Sequence, residues 1–300
     1  MFLLLKYFMK RKFNLTNNLF SNTIIISLII TVLIGCSLEN IENNNSHKDF
    51  KLEKGSGLDL KNLKIQIMYD NNQYLKELET AWGFSCFIKS TEQNILFDTG
   101  GDGNILLRNM EKIEIDPSEI DIIFLSHIHN DHVGGLQDIL NKNSNVVVIL
   151  PESFPESFKE AIINRGVDII EVHKPQSINS NCFSTGELGT WIKEQSLIIN
   201  TDNGIIIITG CAHPGIAEIV KHSKNQLKED VLMVMGGFHI SATSEKEIVD
   251  LISNFKTMGV KYAAPCHCSG DDARKLFPQK YGSNYINIGV GSEINLMDLE

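Results

Sequence analysis

Residues 121–126 (DIIFLS) form an unbroken apolar run that stops at HIHNDHVGG, residues 127–135, and this junction constrains the fold more than any other stretch of the chain. A short continuous apolar run bounded by turn residues reads as a strand buried on both faces. Such strands belong to layered α/β architectures, whose strand-end loops present functional groups from a rigid scaffold. The same junction recurs along the chain. Of nine histidines, six (His127, His129, His132, His213, His239 and His267) follow directly on apolar strand-like runs, beside Gly or Pro. Histidines used only for packing would be scattered instead.

Strand and helix periods alternate from about residue 62. Residues 64–69 (KIQIMY), 84–88, 95–98, 145–150 (NVVVIL) and 167–172 read as strands, with helical spacing over 104–113 and 155–165. The second half repeats the mixture. A hairpin over 196–200 and 204–209 turns at Asp202-Asn203-Gly204, and residues 216–222 are helical. A buried strand follows at 231–235, an amphipathic helix at 244–258, and short strands at 262–265 and 287–290. Two mixed halves with helices outside predict a four-layer αββα sandwich, each sheet buried against the other. A chain of 300 residues, 42% of them hydrophobic, can supply that core.

The N-terminus reads as an address. Lys10-Arg11-Lys12 precedes the apolar run 23–35 (TIIISLIITVLIG), which is 13 residues long. A spanning helix needs ~20, so the pattern predicts a secretory signal. Leu33-Ile34-Gly35-Cys36 resembles the lipobox of bacterial lipoproteins. That resemblance implies cleavage after residue 35, a lipid on Cys36, and an extracytoplasmic, membrane-anchored domain; an uncleaved anchor is the alternative. Residues 36–61, rich in Asn, Glu, Lys and Ser, are expected to be a flexible tether, leaving 62–300 as the folded domain. Formal net charge is −10, and without the four basic residues of the first 36 it becomes −14. So acidic a surface repels phosphate backbones and argues against nucleic acid as a partner. The six cysteines show no disulfide framework, and free or buried thiols are expected, with thiolate ligation at Cys266 or Cys268 a lesser option.

The dense cluster points to metal chemistry. His127 and His129 stand two apart in extended chain, so their rings point the same way and can grip one cation. Asp131 and His132 follow where a helix begins and point toward a second cation, and imidazole and carboxylate are both zinc ligands. A histidine-rich surface turn is the bland alternative.

HIHNDH is similar to the HxHxDH signature of the metallo-β-lactamase superfamily. Phe97-Asp98-Thr99-Gly100 and Thr209-Gly210-Cys211-Ala212-His213-Pro214-Gly215 resemble two further motifs of that superfamily. Tyr69-Asp70-Asn71, Trp82-Gly83-Phe84-Ser85, Lys193-Glu194-Gln195-Ser196-Leu197, Gly236-Gly237-Phe238-His239 and Pro265-Cys266-His267-Cys268-Ser269-Gly270 complete an ordered set. The set resembles the subfamily named for 7,8-dihydropterin-6-yl-methyl-4-(β-D-ribofuranosyl)aminobenzene 5′-phosphate synthase. The resemblance implies His127, His129 and His213 around one divalent cation and Asp131, His132 and His267 around another. The metal it implies is zinc, with iron and manganese open. It places Asp98 behind the ligands, orienting them, with a turn cap as the plainer role. Many members bridge the cations with an Asp after the third histidine. Here Asp230 lies at the wrong end of its strand and His239 falls at that place, a candidate for metal or substrate. Glu194 is a weaker substrate candidate. His173 and His222 have no partner motif and are expected to be solvated or capping.

These expectations converge on a metal-dependent hydrolase of a phosphoester or related small molecule, with Asp131 as ligand and orienting acceptor. Residue 129 is His rather than Glu, which argues against a redox di-iron branch. An exported chain would have little access to pathway intermediates for the subfamily's named synthesis. A non-catalytic metal- or ligand-binding lipoprotein is the alternative, and a true β-lactamase a third.

Overall fold

A computed structural model describes residues 55–299. The apolar run 23–35, Cys36 and most of the expected tether lie outside the described residues. Among the described residues no helix is long and apolar enough to cross a membrane.

Six strands come first: β1 (Lys64–Asp70), β2 (Phe84–Lys89), β3 (Ile95–Phe97), β4 (Ile122–Phe124), β5 (Val147–Pro151) and β6 (Asp168–Val172). Seven follow: β7 (Gln176–Ser177), β8 (Cys182–Ser184), β9 (Leu197–Thr201), β10 (Gly204–Thr209), β11 (Val231–Gly237), β12 (Tyr262–Cys266) and β13 (Glu293–Ile294). They form two sheets, ordered β13-β1-β2-β3-β4-β5-β6 and β12-β11-β10-β9-β8-β7. Strands β3 to β6 run parallel, as do β10, β11 and β12.

Helices cover one face of each sheet. Leu106, Met110, Leu136, Ile139 and Ile162 pack in one cluster with Met68, Phe87, Leu96, Ile123 and Val148. Ile219, Val220, Ile248, Ile252, Phe255 and Phe277 pack with Ile205, Ile207, Val234 and Ala263. The alternate strand residues, among them Ile65, Phe97, Phe124, Ile206 and Met235, are fully buried too, as the inner faces of a sandwich require. Burial on both sides explains why these strands read as apolar runs. Gln195, just before β9, ties the sheets together: its side-chain amide donates to Leu125 O at 2.8 Å and its N–H to Ser126 O at 2.9 Å. The expected four-layer α/β sandwich is the architecture found.

Three expectations need correction. Residues 55–61 are part of the fold rather than of the tether: Leu58 bridges Thr201, and Leu58 and Leu60 are only 5% and 4% exposed. Residues 287–290 make no ladder, and the edge strand is β13, because only there does the backbone register with Ile65 and Gln66. The sequence reading also omits the helix Gly270–Tyr281. Asp271 and Asp272 in its first turn suit the helix dipole, and Pro278 near its end removes one backbone donor without stopping it.

Candidate metal centre

Parallel strands deliver the functional side chains to one edge of the sandwich, because loops at the carboxyl ends of such strands open on the same side. His127 and His129 follow β4, and His213 follows β10. His127 Nε2 lies 3.1 Å from His129 Nδ1, and the His213 ring is 4.9 and 4.8 Å from theirs. One ring nitrogen from each of the three lies within 4.8 Å of the others.

A second group adjoins the first. Asp131 and His132 sit in the one-turn helix Asn130–Val133, and His267 in the turn after β12. Asp131 Oδ2 is 3.6 Å from His132 Nε2 and 3.3 Å from His267 Nε2. Cys211 completes the group, its Sγ 3.2 Å from His132 Nε2. The His127 and His132 rings are 4.2 Å apart, so the two groups share a wall.

Buried polar residues hold the donors in place. Asp98, at the end of β3, accepts from Ser126 N and Ser126 Oγ, each at 2.7 Å, and meets His132 Nδ1 at 2.7 Å. Ser126 Oγ meets His127 Nδ1 at 2.9 Å, and Asn71 Oδ1 meets His267 Nδ1 at 2.9 Å. Contacts of this kind fix which ring nitrogen faces a cation. Glu194 is buried beneath the third histidine loop. Its Oε1 accepts from Gly210, Cys211 and Ala212 N–H groups at 2.9–3.1 Å, and its Oε2 from His213 N at 2.8 Å. Asp98, Ala212, His239 and His267 all adopt left-handed backbone, a conformation that side chains take only where the surroundings enforce it.

The donor set fits cations. His213 Nε2 is buried with no hydrogen-bond partner among the described residues, and His267 Nε2, buried in the other group, meets Asp131 Oδ2 at 3.3 Å. A buried nitrogen left unpaired is unfavourable unless something else satisfies it. Burial and the neighbouring imidazoles push His127 well below the ordinary histidine value, and burial with His239 and His129 takes His213 to about 4. Both are therefore neutral, as ligands must be. Burial alone would raise the Asp131 carboxyl, but its hydrogen bond to His267 and the nearby His132 and His267 imidazoles outweigh it and hold it well below the usual carboxylate range.

A family model described as the metallo-beta-lactamase superfamily matches residues 83–225. Over 248 residues the chain is 30% identical to 7,8-dihydropterin-6-methyl-4-(beta-D-ribofuranosyl)-aminobenzene-5'-phosphate synthase of Methanocaldococcus jannaschii, spanning 68% of this chain and 84% of that relative. The chain belongs to the metallo-β-lactamase superfamily. Among solved superfamily structures it is similar to Tm1679, a metal-dependent hydrolase, with 26% identity, a TM-score of 0.66, and coverage of 77% of this chain and 98% of that one. The metallo-β-lactamase fold protein YhfI of Bacillus subtilis shares the fold at 13% identity, with a TM-score of 0.59 and coverage of 78% and 99%.

Within this superfamily frame the expected donors His127, His129, Asp131, His132, His213 and His267 come together from three separate loops. His239 joins neither group of three histidines or of Asp131; its ring lies 4.4 Å from His213, and its nitrogen clusters with Cys211 and Cys268. Glu194 is only 1% exposed and both its oxygens accept from the loop that carries His213, so it does not face the cleft and the substrate role expected for it does not hold. Cys211 is the donor that the sequence reading missed. Its position two residues before His213 was visible, but its partners come from β4 and β12. His222 caps Thr185 O at 3.1 Å, and His173 is exposed between Glu152 and Glu187.

Proposed function

We propose that this chain is a two-cation hydrolase that cleaves a phosphoester or related bond in a small molecule. The observation that carries the reading is the pair of adjoining donor groups, the first with the His213 Nε2 buried and unpartnered and the second with Asp131 held against His132 and His267. Two divalent cations held there, zinc by the preference of imidazole and thiolate donors, would supply Lewis acidity and lower the pKa of coordinated water to ~7.

The chain's own residues do the rest. His127, His129 and His213 hold one cation, and Asp131, His132, Cys211 and His267 the other. Asp131 stays ionised and accepts a hydrogen bond from the attacking water, orienting it. Asp98 and Asn71 keep His132 and His267 turned toward the cleft. Trp82, 57% exposed with its ring 4.8 Å from His267, offers an apolar wall to the part of the substrate that does not react. The relative's named synthesis is a property of that relative, and hydrolysis is the simpler chemistry for these residues.

One observation favours a second reading. Asp131 is the sole carboxylate among the donors of the two groups, so no acid bridges them, and a binding protein without turnover is consistent with that. The test is a panel of aryl phosphomonoesters, phosphodiesters and carboxylic esters offered to the zinc-loaded chain. Turnover that Asp131→Ala reduces at least ~100-fold supports the enzyme. Tight cation binding with no turnover on any of them supports the binder.

We further propose a lipid on Cys36 that places this chemistry outside the cytoplasm. That reading rests on the lipobox resemblance alone. Incorporation of labelled palmitate into the chain, abolished by Cys36→Ser, supports it, and unlabelled chain in a bacterial host that labels its own lipoproteins overturns it.

A further inference from the structure

Strands β10, β11 and β12 lie side by side and parallel, and the loop after each delivers a metal-type donor: Cys211, already a member of the second group, and the further donors His239 and Cys268. One atom of each lies within 4.8 Å of the others. The two cysteines are buried and His239 is exposed. Cys268 Sγ lies 3.7 Å from Cys211 O, and its thiol also meets the side chains of Cys211 and His239, the two other members of the cluster. Backbone conformation is arranged around this cluster. His239 adopts left-handed backbone at φ 53°, which turns it away from the line of its strand. Gly237 stands where any Cβ would come within 2.6 Å of Cys268 Sγ, so glycine there leaves room for the thiol.

We propose that Cys211, His239 and Cys268 form a third cation site, one that takes a thiophilic divalent ion such as zinc and shares the Cys211 sulfur with the Asp131–His132–His267 group. Two sulfurs and one imidazole suit zinc and disfavour magnesium or manganese, which prefer oxygen. The fit is close. Around zinc with Zn–S distances of ~2.3 Å, neighbouring ligand atoms stand ~3.8 Å apart. Donors already within 4.8 Å reach that spacing through side-chain rotation of about an ångström. His239 is exposed, so the remaining ligand position opens to solvent at the cleft mouth. A cation there would lie beside the proposed reaction centre and face an anionic substrate group entering the cleft.

The site shares Cys211 with the second group of the two-cation reading but is distinguished from it by His239 and Cys268, which neither of those groups uses. The test takes the full chain, purified in reductant, stripped of metal and reloaded with cobalt(II). Cations per chain are counted by elemental analysis, and thiolate-to-cobalt charge-transfer absorption is read in the near ultraviolet. We expect three cations per chain in the wild type and two in Cys268→Ser and in His239→Ala, with weaker thiolate absorption in Cys268→Ser. His239 is exposed, so His239→Ala keeps the fold and carries the test should Cys268→Ser fail to fold. His213→Ala should lose one cation and turnover but keep the thiolate absorption, which separates failure of the catalytic reading from failure of this one. Equal cation counts in the wild type, His239→Ala and a folded Cys268→Ser would overturn the proposal, as would recovery of Cys211 and Cys268 as a disulfide from the reloaded protein.

Discussion

Asp98 and His132 meet at 2.7 Å between Oδ2 and Nδ1, and neither side chain has any exposed surface. The same carboxylate also accepts from Ser126 N and Oγ, so one residue at the end of β3 fixes the start of the 127–132 turn and the orientation of one of its rings. Asp98→Asn replaces an acceptor by an amide that can present N–H to His132. We expect cation affinity of the Asp131 group to fall ~10–100-fold, the range seen when such supporting partners are lost. Competition with a chromogenic chelator measures it. Unchanged affinity would mean that Asp98 only caps its turn.

Glu194 gathers four backbone N–H groups under the loop that carries His213. Glu194→Ala leaves those donors buried without an acceptor, and each unsatisfied group is unfavourable by ~1–3 kcal/mol. Urea denaturation should show a loss of at least ~3 kcal/mol, and the loop's release should cost the first group its cation. A loss below ~1 kcal/mol would contradict the anchoring role.

Gly210 is packed so that an added Cβ would press on Ser126 Oγ and stand 3.1 Å from His127 Nδ1. Gly210→Ala therefore displaces the residues that orient His127. Stability should fall by ~1–3 kcal/mol, as overpacking does, together with the cation count. A variant with unaltered melting and metal content would show that the crowding relaxes elsewhere.

The cation-free protein should lose stability as pH falls. His213 titrates at about 4 when folded, below the ordinary histidine value of ~6.5. The unfolded chain therefore takes up this proton first, so the His213 contribution is present above ~6.5 and is lost as pH falls toward about 4. Burial raises Glu194 to about 7, and that group works in the opposite direction over an overlapping window. Comparing the wild type with His213→Asn cancels Glu194. Between about pH 7 and about pH 4.5 the wild type should lose more stability than the variant in urea titrations. Parallel losses would contradict the lowered value.

What the sequence shows and what it hides follow from the range of the interactions. His127, His129, Asp131 and His132 are legible because a single strand-to-helix junction carries all four. His213 and His267 are legible only through motif resemblance, since nothing local in TGCAHPG or PCHCSG says that the two loops meet. Cys211 and Glu194 were misjudged for one reason. Their partners are contributed by neighbouring strands of the assembled sheet, and a side chain that serves a loop's backbone looks like any other acidic residue in sequence. Long buried strands such as β5 and β11 announce themselves through β-branched and apolar runs. The short strands β7, β8 and β13, of two or three residues each, have too little pattern to read.

Two cations bound where the side chains converge would account for the whole donor arrangement. Anomalous scattering at the zinc absorption edge from crystals of the zinc-loaded chain measures this directly. We predict one peak within bonding distance of His127, His129 and His213 and another among Asp131, His132, Cys211 and His267. Loaded crystals with neither peak, or with zinc bound only elsewhere, would contradict it.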